Sequence, residues 1–382
     1  MSQLGGFGGF GGFGGFGGFG GFGGFGGGSG GGGGGAGCGC APTLADAFAN
    51  PLVTTALTTS TDGISNPTVG PITRGDPGFN WSDSSARWEG WVRSQLLLWE
   101  LSQGISFVPS GSSAPVNPAV AGSKTLQMQV GGTTVFTLGR PTPAFFASQI
   151  PLVQAWGQLR LERAPEILSQ IDNQFAFVAS ITGLHLERHR WTVELISNAI
   201  QFTVFLEMQF KHVLACWRPF QYSDQVQPML TTPGHGSFPS GHATQAFMLA
   251  RLLVGILNLN PTGSTAEQLY RQAARIATNR VIAGLHFPAD NVAGRMLGHT
   301  IAEYILARLG VQASVTERSF APPPAIGSTL ELDIFTQDVE TPGSTGIGDT
   351  ISNPVAVAAA SGTSSVLAKI YTYGQAERAA LQ

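Results

Sequence analysis

Seven side chains that handle anions and protons fall in three short stretches of this 382-residue chain. The central one, Phe238-Pro239-Ser240-Gly241-His242-Ala243-Thr244, runs straight into an apolar segment and reads as a helix start aimed at an anion. Pro239 cannot continue a preceding helix, Ser240 is a good N-cap, and Gly241 lets the backbone approach a ligand. Unpaired N–H groups and the positive end of the helix dipole then face outward. His242 adds a group that gives or takes a proton near neutrality.

The second stretch, Lys211 to Pro219, closes a long apolar-periodic segment. Lys211 and Arg218 are spaced to share one helical face, and Pro219 is expected to end that helix with Arg218 at its C-terminus. In the third stretch, Asn279 to Asp290, Arg280 closes a helix, Gly284 breaks it and Pro288 opens the next. His286 is held in the turn, where Asp290 can bond one ring nitrogen and leave the other as a fixed lone pair, suited to a nucleophile or a metal-type ligand. Lys211, Arg218 and Arg280 together neutralise a tetrahedral oxyanion, with the Ser240 hydroxyl and the Gly241 amide on its oxygens.

At these residues the chain resembles the superfamily that joins vanadium-dependent haloperoxidases to type 2 phosphatidic acid phosphatases and bacterial acid phosphatases. The shared pattern is a Lys with Arg-Pro seven residues on, then Pro-Ser-Gly-His, then Ser-Arg followed by His and Asp. It covers about residues 185 to 305, with Asn279 in place of the usual Ser. The resemblance implies a mainly α helical bundle. In the peroxidases the pocket holds vanadate with His286 as its axial ligand, whereas in the phosphatases His286 attacks phosphorus. The preferred expectation is a haloperoxidase that uses vanadate and hydrogen peroxide to oxidise halide, bromide or iodide before chloride. The alternative is a soluble phosphomonoesterase acting through a phosphohistidine. His235, in the slot that is often His in bromoperoxidases, favours the first. The 37 residues between His242 and Arg280 fit the second at least as well.

Composition narrows the classes. Apolar residues make up 42% of the chain, enough for a core, and only 11% are charged, against ~25% in ordinary globular proteins. A net charge of −3 gives no basic footprint for nucleic acid. Three cysteines make no disulfide scaffold. The absence of a long uncharged apolar run predicts no membrane span and disfavours a membrane lipid phosphatase. The first residues show no signal-peptide pattern, so a cytoplasmic location is the default, with non-classical export left open.

Around the motifs, residues 1–40 are a Gly-Gly-Phe low-complexity tail expected to be disordered, ending in Cys38 and Cys40. It raises a non-enzymatic alternative, a self-associating protein with a vestigial pocket, and a homo-oligomer is expected. Residues 41–310 form the catalytic domain, opening with irregular chain to about residue 80. The first expected helix is Ser85 to Gly104, whose Trp88, Trp91 and Trp99 stripe reads as core. Lys124 to Leu138, turning at Gly131-Gly132, reads as the one small β-hairpin. Helices are expected over 143–158, 161–181, 185–217, 243–259, 265–283 and 289–309. His185 and His189 read as surface or packing residues before metal ligands, and His212 as structural. Residues 311–382 are expected as an extended arm with one short terminal helix.

Overall fold

A computed structural model describes residues 51–64, 85–110, 124–171, 174–321, 349–360 and 365–380. The Gly-Gly-Phe tail, Cys38 and Cys40 lie outside them. Two compact units divide between Arg93 and Ser94. The first contains α1, Pro51–Ile64, where irregular chain was expected; Pro51 supplies a pre-set φ at the helix start.

The second unit carries the motifs. Helix α2, Gly90–Ser102, contains the boundary between the units and is followed by β1, Ile105–Ser110, β2, Thr125–Val130, and β3, Thr133–Gly139. Short helices come next: α3, Pro143–Ser148, α4, Ile150–Trp156, α5, Arg160–Ser169, and α6, Gln174–Thr182. The long α7, Arg190–Leu214, leads to the one-turn α8, Pro219–Tyr222. Then come α9, Gly241–Ile256, α10, Ser264–Ile282, and α11, Pro288–Arg308. Strand β4, Ser314–Phe320, strand β5, Asp349–Ala356, and helix α12, Val366–Ala379, complete the described chain. The protein is mainly α, as its periodicity predicts.

The core is built on α9 and α11, which run almost wholly buried past each other. Two glycines on α11 explain how close they come. A Cβ on Gly294 would lie 2.7 Å from the Ser240 carbonyl oxygen, and one on Gly298 would lie 2.4 Å from that of Thr244. Backbone therefore packs on backbone at the crossing, and Ser240 N donates to Asp290 O at 2.9 Å. This bond ties the start of one motif helix to the first turn of the other.

The predicted hairpin forms, with Gly131 and Gly132 in the left-handed region. It is part of more β structure than the one hairpin expected. The sheet has five strands in the order β1-β2-β3-β4-β5, antiparallel except for the parallel β3/β4 pair. Its outer members were hidden because their partners lie far away in sequence. The tryptophan stripe also differs from expectation: Trp91 and Trp99 are 50% and 61% exposed, while Leu97 and Leu101 turn inward. The expected helix 161–181 is two helices, α5 and α6, and the segment 143–158 holds two more.

Candidate oxyanion site

Three loops converge where α7, α9 and α11 come together. Helix α7 ends sooner than Pro219 would dictate, because Ala215 adopts φ 46 and ψ 50 and its N–H closes the last turn on Lys211 O. Arg218 is thus not on that helix. It stands in extended backbone at the N-cap of α8, yet Lys211, in the last turn of α7, and Arg218 both reach the site. Lys211 Nζ donates to the carbonyl oxygens of Pro239 and, at 3.5 Å, Gly236, so the lysine props the loop that precedes α9. Arg218 Nη1 donates to Leu285 O at 2.9 Å and lies 3.4 Å from His286 Nε2; its Nη2 lies 3.4 Å from His235 Nδ1.

Ser240 caps α9, its hydroxyl accepting from Ala243 N at 3.5 Å, which leaves the hydroxyl proton to donate. Gly241 and His242 are the first two residues of the helix and are half-buried. Helix α10 ends at Ile282, Gly284 has φ +76, and Pro288 opens α11, as the sequence predicts. Asp290 Oδ2 receives bonds from Phe287 N at 3.0 Å and from the Ser237 hydroxyl, and lies 2.9 Å from His286 Nδ1. With Nδ1–H donating to that carboxylate, His286 Nε2 carries the lone pair, which Arg218 Nη1 approaches.

Supports missed by the motif reading come from α3 to α5. Phe146 on α3 packs on Phe238, before the Ser240 turn, and on Phe287, after His286, with centroids 6.1 Å and 4.8 Å away. It clamps two motif loops to one ring. Gln149 Oε1 caps α11 through Ala289 N at 2.9 Å. Gln170, at the C-cap of α5, accepts from Asn279 and Arg280, and Arg280 Nη2 also donates to Ile167 O at 3.0 Å. Gln170 is fixed in turn by Glu166, which Arg275 grips with Nε at 2.8 Å and 2.9 Å from its two oxygens. Gln149 and Gln170 stand at helix ends, and no local pattern there signals the partners they take.

Burial and mutual repulsion set the charges. Burial first, then Arg218, Lys211, His242 and His235, hold His286 well below the ordinary histidine range. His242 is likewise held well below it by burial, Arg280, Lys211 and Arg218, with the Gln170 backbone opposing. His235 falls to about 4 through burial and Lys211. Burial lowers Arg218 and Arg280 to about 10, still charged at neutrality. Burial raises Asp290 to about 6 against Ser237, Phe287 N, Lys211 and Arg218. Three cations, Lys211, Arg218 and Arg280, and three neutral imidazoles therefore act on one another in one small region. Arg218 Nε, Arg280 Nε and Nη1, and His242 Nε2 are buried with no hydrogen-bond partner among the described residues. Leaving such groups unmatched costs about 1–3 kcal/mol each, more when charged, and an oxyanion supplies the acceptors that the guanidinium N–H groups lack.

Other candidates fall away from this cluster. His212 is exposed, and His189 Nδ1 and His185 Nδ1 accept from the backbone N–H groups of His185 and Glu187. No group of three or more metal-ligating side chains occurs among the described residues. No helix among them is long and apolar enough to cross a membrane.

Comparison with known proteins agrees with the geometry. The undecaprenyl-diphosphatase of Sulfolobus acidocaldarius is 27% identical over 137 residues, 35% of this chain and 64% of that protein. The chain thus spans less than two thirds of the length of that relative. Residues 192–309, from the first turn of α7 to the end of α11, match the PAP2 superfamily and hold every motif residue from Lys211 to Asp290. The chain therefore carries, at residues 192–309, a domain of the PAP2 superfamily.

Proposed function

We propose that this protein hydrolyses a terminal phosphoryl group from a phosphomonoester or diphosphate through a phosphohistidine on His286. The carrying observation is the set of buried, unmatched donors on Arg218 and Arg280, with the unpartnered His242 Nε2, near a His286 whose Nδ1 faces Asp290. A tetrahedral phosphate dianion supplies the acceptors these donors need, and its charge offsets the repulsion among Lys211, Arg218 and Arg280. The similarity to a diphosphatase supports phosphate over halide chemistry, and reverses the preference drawn from the sequence.

In this reading His286 Nε2 attacks phosphorus while the bond to the leaving oxygen breaks, and Asp290 stabilises the charged imidazole. His242 Nε2 delivers the proton to the leaving oxygen. It is neutral without ligand because burial and cations depress it, and the bound dianion restores its affinity for a proton. Water then cleaves the P–N bond with His242 as base. Ser240 and the Gly241 amide donate to the phosphoryl oxygens.

The same donor set fits vanadate, and His235 beside Arg218 is the observation that favours this second reading. Vanadate would be held by Lys211, Arg218, Ser240, Gly241, Arg280 and His286, and when bound it supplies Lewis-acid activation of peroxide toward halide. One experiment separates the two: the full chain is assayed for aryl phosphate hydrolysis and for bromination of a phenol dye with peroxide, each with and without orthovanadate. Hydrolysis that vanadate inhibits, with an acid-labile phosphoenzyme absent in His286→Ala, is the expected result. Vanadate-dependent bromination without hydrolysis overturns it.

A further inference from the structure

One buried carboxyl at the site belongs to none of the motifs. Glu207 lies one turn before Lys211 on α7, on the same face, and is buried. Its Oε1 accepts from Gln245 Nε2 on α9 at 3.4 Å, and its Oε2 has no hydrogen-bond partner among the described residues. The carboxyl is pressed against the first residue of α9: a Cβ built on Gly241 would stand 2.6 Å from Glu207 Oε1. A potential negative charge therefore sits directly behind the backbone and the lysine that face the anion.

We infer that the charge state of Glu207 sets how tightly the site holds a tetrahedral dianion, the neutral acid permitting capture and the carboxylate promoting release. This deepens, and rests on, the phosphoryl-transfer reading above. A carboxylate near a bound dianion repels it, and little solvent intervenes to screen the repulsion. Burial raises Glu207 to about 7, while Lys211 and the Gln245 amide pull the other way, so its ionisation falls in the working range. The groups bearing on Glu207 are Lys211 on its own helix and Gln245 and Gly241 from α9. Arg218, from the α7–α8 connection, and Asp290, from α11, act on Lys211. Lys211 is lowered to about 8 by burial, but its contacts to Pro239 O and Gly236 O require N–H donors and favour the ammonium. Between about 7 and 8, then, Glu207 adds its charge while Lys211 still keeps its own.

Sulfate tests this, because it remains a tetrahedral dianion throughout the range. Its dissociation constant is measured by calorimetry on the full chain and on Glu207→Gln. The ratio of the two constants, unaltered over variant, is expected to rise from about 1 near pH 5.5 to roughly four near pH 7.5, below the titration of Lys211. A ratio that stays near 1, or falls below it, overturns the role of Glu207 while leaving the oxyanion site standing. Sulfate that fails to bind the unaltered protein at any pH overturns the site reading itself, and this inference with it. Should Glu207→Gln not fold, Gln245→Leu serves instead. It removes a donor that favours the carboxylate, so the pH at which sulfate affinity drops must move upward, and an unmoved midpoint is again a refutation.

Discussion

Gln170 Oε1 accepts a hydrogen bond from Arg280 Nη2 at 3.3 Å, joining residues 110 apart in sequence. The contact fixes one edge of the guanidinium on α5, through Gln170 and Ile167 O, and leaves Nε and Nη1 without a partner among the described residues. Gln170→Ala should loosen Arg280 and Asn279 together. We expect kcat/KM for an aryl phosphate to fall roughly tenfold, as for loss of about 1–2 kcal/mol of positioning, with a fall in Tm of a few degrees. Unchanged kinetics at a lowered Tm would mean that the contact is structural alone.

Asp290 predicts the acid limb of the pH profile. Its pKa is raised to about 6, so the carboxylate that orients His286 is lost as pH falls through that value, and kcat/KM should fall with it. The Ser237 hydroxyl favours the ionised form, so Ser237→Ala should move this limb to higher pH. Asp290→Asn should lower kcat about 10³-fold through the wrong imidazole tautomer. Steady-state rates from about pH 4.5 to 8 check both variants.

Gly241 carries a steric prediction. A methyl there would collide with Glu207 Oε1, so Gly241→Ala should destabilise the fold by about 1–3 kcal/mol and impair anion binding. Removing the obstacle in Gly241→Ala/Glu207→Ala should recover part of that stability. Denaturant midpoints of the two single variants and the double variant measure the coupling, and strict additivity would show that the two residues do not meet.

Away from the site, Glu303 on α11 receives Arg318 from β4 through Nη2 to Oε1 at 2.9 Å and Nη1 to Oε2 at 3.1 Å. Burial alone would raise Glu303, but Arg318, Thr316 N and Arg251 outweigh it and lower its pKa. Its stabilisation is thus complete above the ordinary carboxylate pKa and is lost as pH falls through the depressed value. Glu303→Gln should cost about 3 kcal/mol at neutral pH, since it leaves Arg318 short of a counter-charge, and the loss should shrink in acid. Thermal unfolding at two pH values tests the sign.

The site was legible in sequence because its residues sit at helix ends, where caps and breakers announce themselves: Ser240, Gly284 and Pro288 each stand at the boundary expected of them. Arg218 was brought to the right place by the wrong element, since Ala215 in a left-handed conformation gives no sequence signal of ending α7. Phe146, Gln149, Gln170 and Glu207 were not read, for their roles exist only through partners distant in the chain or one helix away. The same holds for β1, β4 and β5, whose pairing no local pattern encodes. The aromatic stripe misled because tryptophan spacing measures amphipathicity and not which side faces inward.

Helix α7, which brings Lys211 to the site, has no side-chain cap of its own at His189. Its first N–H groups are bound by Glu377 on α12, which accepts from Trp191 N at 3.0 Å and Thr192 N at 2.7 Å. The start of α12 is bound in turn by Glu100 on α2, through Val366 N at 2.7 Å. During synthesis, both carboxylates must wait: the Glu100 latch needs Val366 and the Glu377 latch needs residue 377 itself, so neither closes until the ribosome has passed these positions. A nascent chain that already contains every motif residue up to Asp290 is therefore an unfastened one, its first α7 N–H groups still without the carboxylate that binds them.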